Sequence, residues 1–231
     1  KTIVLAAVKT NILLLINLDL ITEFPEPKLI IIPQNHYFLV EIKNRPNEWI
    51  KQKSAKFKVI IHVGTTSLEQ SKTLANHAQK IGADAISTMA PMFLKPTNTS
   101  DLVEFCKEIS MEADKTPFYY YNIPSITGVE FSMVDYINLA SKKIPNFHGM
   151  KFTHDNFMEM QSCINLNNNK WNILHGLDEV LLAGLSFGVN GAVGSTYNFL
   201  GKLYNSLIEN FTVSYTHLRA HETEADLVCR L

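Results

Sequence analysis

The chain has 231 residues, 46% of them hydrophobic, enough for one large domain or two small ones with a sizeable core. Its 21 basic and 22 acidic residues balance, which excludes the charge footprint of a nucleic-acid binder or of a protein drawn to an anionic membrane. Cys106, Cys163 and Cys229 are odd in number and far apart, so neither a disulfide framework nor a metal site follows, no cofactor is called for, and a reducing, cytoplasmic setting fits.

The first fifty residues carry little chemistry. Residues 3–21 are strongly apolar around Leu13-Leu14-Leu15-Ile16, but Lys9, Asn11, Asn17 and Asp19 interrupt the run and no small-residue cleavage site follows. A membrane anchor is therefore a weak, non-enzymatic alternative. Leu29-Ile30-Ile31-Ile32, a Pro33-Gln34-Asn35 break, and His36 to Ile42 read as two short strands. The opening residue is Lys1 rather than Met, as in a fragment or a processed chain.

From Lys58 the pattern changes to strand, helix, strand, helix. Val59-Ile60-Ile61-His62-Val63 is a near-continuous apolar run ending at Gly64, as in a parallel strand covered on both faces. Ser67 and Gln70 make a capping-box start for a helix with Leu74, His77, Ala78 and Ile81 on one stripe. Asp84 to Ala90 is the next strand, and Leu102, Phe105, Cys106 and Ile109 stripe the next helix, giving Cys106 a plain core role. Strands follow at Pro117–Asn122, 147–152, 171–176 and 188–193. Between them lie helices opened by Ser132 and Asp135, running from Asp155 to about Leu166, and capped by Asp178. A helix with Leu200, Leu203, Tyr204, Leu207, Ile208 and Phe211 on one face closes the series.

Repeated βαβ units mean an α/β protein with a parallel sheet, either doubly wound or closed as a barrel. A barrel takes eight units over roughly 250 residues, and its chemistry sits at the carboxyl ends of the strands. Those ends carry polar residues here: Gly64-Thr65-Thr66, Tyr121-Asn122, Lys151-Phe152-Thr153, Gly176-Leu177-Asp178-Glu179 and Gly194-Ser195-Thr196. Lys151 is the notable one. A lone lysine at a strand end most often snorkels to water. In an apolar slot, however, its ammonium loses its proton easily, and the free amine attacks carbonyl carbon.

Four motifs in one order, YYYNIPSITG (119–128), GMKFTHD (149–155), HGLDE (175–179) and GAVGSTYN (191–198), resemble the pyruvate-dependent class I aldolase family that includes dihydrodipicolinate synthase. VIIHVG (59–64) and APMFLKP (90–96) are similar to its sialic acid aldolase branch, and the likeness runs from about Glu48 to about Phe211. The resemblance implies a (β/α)8 TIM barrel, here truncated to about six βα units. It implies that Lys151 forms a Schiff base with the keto carbon of a sugar acid. The C3–C4 bond of N-acetylneuraminate then breaks, releasing N-acetylmannosamine and leaving an enamine of pyruvate. Tyr121 is the implied proton donor at the C4 hydroxyl, a phenol otherwise read as one more packed aromatic. Thr153 matches the position beside the imine, and Gly176, Asp178 and Glu179 match the segment that holds the hydroxylated tail. Gly194 and Ser195 match the last contact on the sugar. Relatives that make dihydrodipicolinate carry an arginine for a second carboxylate where this chain has Ile126, so a neutral polyol is the better fit. Family members are homo-oligomers, often tetramers. His62, His148, His154 and His175 show no ligand spacing and read as structural or rim residues.

The chain departs from the family at both ends. The Gly-Thr-Thr-Gly-Glu loop that binds the substrate carboxylate does not occur in residues 1–46, which read as an unrelated or misjoined segment ahead of a partial barrel at 47–212. An unclosed barrel would expose two strand edges. Residues 213–231 begin VSYTHLRAHET, letter for letter one reading frame of a common sequencing adapter. The alternatives are thus an inactive fragment of an aldolase, a catalytically dead barrel that binds a sugar acid or joins active subunits, and another pyruvate-dependent aldolase such as dihydrodipicolinate synthase.

Overall fold

Short runs of β-branched and aromatic residues, each stopped by glycine, proline or a polar turn, fold as parallel strands. The computed structural model describes residues 2–6, 28–32, 50–51 and 57–228. Among these residues eight strands close into a barrel in chain order. They are β1 (Thr2–Ala6), β2 (Lys28–Ile32), β3 (Phe57–His62), β4 (Ala85–Met89), β5 (Phe118–Asn122), β6 (Phe147–Phe152), β7 (Asn172–His175) and β8 (Gly191–Gly194).

The strands from β3 to β8, each followed by helix, are the six βα units legible in the sequence. The expected open edges are absent. Thr2–Ala6 pairs with β8, Thr2 opposite Gly191 and Val4 opposite Val193, and Lys28–Ile32 pairs with β3, Lys28 opposite Phe57 and Ile32 opposite Ile61. The correction has a simple cause. After their polar first residues, Thr2 and Lys28, TIVLA and KLIII are apolar runs, and closing a parallel ring asks only for backbone partners along such runs, not for a catalytic loop. The strand expected at 36–42 and the missing loop fall outside the described residues.

The helices are α1 (Leu68–Lys80), α2 (Thr99–Met111), α3 (Pro124–Thr127), α4 (Met133–Lys143), α5 (Phe157–Asn165), α6 (Leu181–Ser186) and α7 (Tyr197–Val228). Their starts follow the cap chemistry. Ser67 Oγ accepts the Gln70 N–H at 3.4 Å, and Ser132 Oγ accepts that of Asp135 at 3.2 Å. Asn156 does the same for Glu159 at 3.1 Å, placing the start of α5 after Asp155. The helix α7 is interrupted at Leu200 (φ −110°, ψ 20°), so its first turn and its long arm are separate pieces.

Period-two alternation sorts the strand side chains into two layers. Val59, Ile61, Met150, Phe152 and Ile173 face outward and pack under the helices with Leu74, Leu102, Cys106, Tyr136 and Met160. Ile60, Ala85, Tyr119, Leu174 and Val193 face inward and fill the barrel. Each such large side chain contributes about 1.5–3 kcal/mol by leaving water. The outer layer holds most of them, so it dominates stability, and the inward layer is free to be polar at one end.

Candidate active site

A β-bulge aims the lysine. On β6, Phe147 lies opposite Phe118 but Gly149 lies opposite Tyr119, so His148 is an extra residue in that strand. The shift leaves Phe147 in the outer layer and turns Gly149 and Lys151 to the inside, while Met150 and Phe152 stay outward. Gly149 is required there, because a Cβ would run into the backbone of Asn172. The Asn172 side chain donates from Nδ2 to Tyr119 Oη at 3.0 Å.

Lys151 is only 5% exposed. Its register partner is Tyr121, also inward, and Nζ donates to Tyr121 Oη at 3.0 Å while lying 4.1 Å from the ring centre. Burial pushes the lysine from 10.5 down to about 8, against the pull of the Asp178 carboxylate, which favours the ammonium. Burial pushes the Tyr121 phenol up, and the charge of Asp178 adds to that. The Thr153 hydroxyl lies near enough to oppose this shift, yet without the geometry of a full hydrogen bond. The pair therefore combines an amine that gives up its proton early and a phenol that keeps its own.

Thr153 continues from β6, its N–H donating to Asn122 O at 2.9 Å. Its Oγ1 is buried without a hydrogen-bond partner and sits against Gly176, where any Cβ would overlap it. Gly176 in turn donates its N–H to Phe152 O at 2.8 Å, continuing the β6–β7 ladder one residue beyond the strands.

Asp178 is 6% exposed and does not cap its own helix. It begins a 3-10 turn (Asp178–Val180) whose N-cap is Leu177, with no side-chain bond. Its carboxylate instead reaches across to the segment after β8, where Oδ2 accepts the Thr196 N–H at 2.7 Å and the Thr196 hydroxyl. Tyr204 Oη lies 3.0 Å from that hydroxyl. The carboxylate thus ties the turn after β7 to the segment that leads from β8 into α7, because the barrel brings the ends of β7 and β8 side by side. Gly194 lies beneath the carboxylate, and a Cβ there would strike it.

The structure therefore gathers Lys151, Tyr121, Thr153, Gly176, Asp178 and Gly194 at the carboxyl ends of β5 to β8. Glu179 and Ser195 stand exposed at the same end, with the Ser195 carbonyl accepting from Asn198 Nδ2 at 2.9 Å. His175 points outward, stacked on Phe157 at 5.8 Å and touching Gly184, which fits its structural reading. His62 does not fit so simply: it is inward, 4% exposed and edge-to-face with Tyr121 at 6.0 Å. Its inward parity with Ile60 was a signal in the sequence that ligand spacing could not reveal.

Among the described residues no group of three or more histidine, cysteine or acidic side chains is placed to hold a metal ion. Nor is any described helix long and apolar enough to cross a membrane.

The sequence profile of the dihydrodipicolinate synthetase family matches residues 48–224. N-acetylneuraminate lyase A of Xenopus laevis is 45% identical over 172 residues, covering 74% of this chain and 56% of that protein. The human N-acetylneuraminate lyase is 45% identical over 166 residues, covering 71% and 52%. The chain thus spans about half the length of the curated relatives it matches. Among solved structures, the N-acetylneuraminate lyase (sialic acid aldolase) of Aliivibrio salmonicida superposes with a TM-score of 0.84 at 30% identity, over 94% of this chain and 77% of that one.

Proposed function

This chain belongs to the dihydrodipicolinate synthetase family, and from that premise we propose that it derives from a Schiff-base aldolase that cleaves N-acetylneuraminate to N-acetylmannosamine and pyruvate. The observation that carries this reading is the contact of a buried, easily deprotonated Lys151 with Tyr121 inside the barrel.

The steps follow from those two groups. The free Lys151 amine adds to the C2 ketone of the open-chain sugar acid, and loss of water gives a protonated imine. That cation accepts the electron pair of the breaking C3–C4 bond, leaving an enamine on the lysine. Tyr121 relays the proton of the C4 hydroxyl, taking it up as its own phenol proton passes on towards C3 of the enamine, and N-acetylmannosamine leaves as the aldehyde. Protonation of the enamine at C3 and hydrolysis release pyruvate and the amine. Burial supports the tyrosine's part, since a phenol held in its neutral form can donate to the aldehyde oxygen in the reverse, condensing direction.

Thr153 Oγ1, buried and unpartnered, is the group we assign beside the imine. Asp178 has one carboxylate oxygen committed to Thr196, and the other is assigned with Glu179, Gly176, Gly194 and Ser195 to the sugar hydroxyls. Ile126, 61% exposed, offers no cation for a second carboxylate, which favours a sugar acid over a dihydrodipicolinate precursor. The reading extends to a homotetramer, by family, and to the cytoplasm, supported by free, buried Cys106 and Cys163.

Borohydride reduction with pyruvate tests the reading. Reduction should fix the three-carbon unit on the peptide containing Lys151, and labelling elsewhere, or none, rejects the assignment. The absence of a Gly-Thr-Thr-Gly-Glu loop in residues 1–46 favours a second reading, in which the chain binds a sugar acid without turning it over. Calorimetry with pyruvate and N-acetylmannosamine separates the two. Full-length cDNA decides whether residues 1–46 and 213–231 belong to the native protein, the second stretch being read as adapter-derived.

A further inference from the structure

His62 is an unusual residue to find where β3 ends. It projects into the barrel from the same face as Ile60, opposite Ser87 in the β3–β4 register, and only 4% of it is exposed. Its Nε2 is buried and has no hydrogen-bond partner, and its ring folds back over Gly64, where a Cβ would meet Cε1 at 2.7 Å. One face of its surroundings is the Tyr121 ring, perpendicular to it at 6.0 Å.

We propose that His62 is a positioning residue for the Lys151–Tyr121 pair: a neutral imidazole that wedges the tyrosine against the lysine and walls the amine off from the barrel interior. This rests on the aldolase reading for its purpose, but not for its geometry. Tyr121 is held between two neighbours, with Lys151 Nζ on its hydroxyl and over its ring and His62 against it edge-to-face. A perpendicular aromatic contact of this kind favours one ring orientation over the others.

Burial and charge together keep the imidazole neutral. The groups that bear on it are Tyr121 from β5 and Lys151 from β6, while β4 offers the uncharged Ser87 and Thr88. Burial first, then the lysine's charge, push His62 down to about 4, so no second cation competes with the ammonium at neutral pH. In this proposal the ring's bulk also keeps water from the amine, whose burial is what lowers the lysine.

The test reads the amine directly. Competitive acetylation of the full chain across pH, followed by peptide mass analysis, gives the titration of Lys151 without any need for turnover. His62→Ala should raise that titration by about one pH unit, roughly a tenfold loss of labelling at pH 7. His62→Phe, which restores a ring without nitrogen, should return it to the parental value. If His62→Ala leaves Lys151 unchanged in a folded protein, or if His62→Phe fails to restore it, the proposal is overturned. Should the alanine variant not fold, His62→Asn, polar and ringless, serves in its place with the same expectation. Pyruvate trapping run in parallel keeps the two readings apart: loss of trapping in the parent chain removes the aldolase assignment, while the amine titration still decides the role of His62.

Discussion

The two faces of the same strands have been put to different uses. Outward, β6 presents Met150 and Phe152 to the helices, and β7 presents Ile173 and His175. Inward, one residue away in each case, β6 presents Lys151 and β7 presents Leu174, beside Tyr121 of β5, against whose ring His62 packs. Both faces are dry, so burial alone does not distinguish a site from a core. What separates them is company. The Cys106 thiol, on α2 in the outer layer and fully buried, is pushed up to about 12 by burial, with a contact to Tyr136 only partly opposing it. Lys151 is pushed to about 8 and has a phenol in contact and a carboxylate within electrostatic reach. An ionisable group becomes a candidate for chemistry when burial and a specific partner act on it together.

That contrast can be broken first at Lys151. Lys151→Met should abolish trapping by pyruvate altogether and at the same time stabilise the protein at pH 7 by about 2 kcal/mol, as an apolar side chain replaces a buried ammonium. The sign follows from its depressed titration. Between about 8 and 10.5 the unfolded chain holds a proton that the folded chain does not, so the parent gains stability as pH rises through that window. Below about 8 the full cost of the buried charge is present. Denaturant melts of parent and variant from pH 7 to 10 should therefore converge, and a constant gap would remove the argument.

Gly176→Ala comes next. Its Cβ would overlap Thr153 Oγ1 and press on the Thr153 backbone, so a loss of about 1–3 kcal/mol in denaturant melts is expected. Weaker pyruvate trapping should accompany it as Thr153 is displaced. Asp178→Asn acts more gently, since the amide oxygen can still accept from Thr196. The charge that favoured the ammonium is gone, however. Lys151 should then titrate below its parental value, and the acid limb of trapping against pH should move to lower pH. The smallest effect belongs to the helix side of the outer layer. Cys106→Ala should cost about 1 kcal/mol in stability and leave the Lys151 titration where it was.

Much of this was legible in the sequence because strand and helix periods are local. The six units from β3 to β8 and the caps at Ser67 and Ser132 follow from alternation and cap chemistry, whereas the pairing of Lys151 with Tyr121 was implied only by the family resemblance of the motifs. What was not legible depends on which strand ends become neighbours in space. Asp178 reads as a cap for the turn it begins, and only the closed ring shows that its carboxylate serves Thr196. His62 reads as one more apolar-run histidine until the tyrosine from β5 is seen against it. TIVLA and KLIII carry no functional residue, so their place in the ring could be found only from their pairing.

The ring closure has a kinetic consequence. Thr2 lies opposite Gly191, the greatest chain separation of any strand pair, whereas β3 to β8 are joined by neighbours in sequence. The β1–β8 seam can form only after every intervening unit has been synthesised, and its loop-closure entropy is the largest in the molecule. An intermediate with β3 to β8 assembled and its two ends unpaired should therefore accumulate during refolding. While it persists, those ends are open to pairing with another copy, and yield on dilution from denaturant should fall steeply with protein concentration.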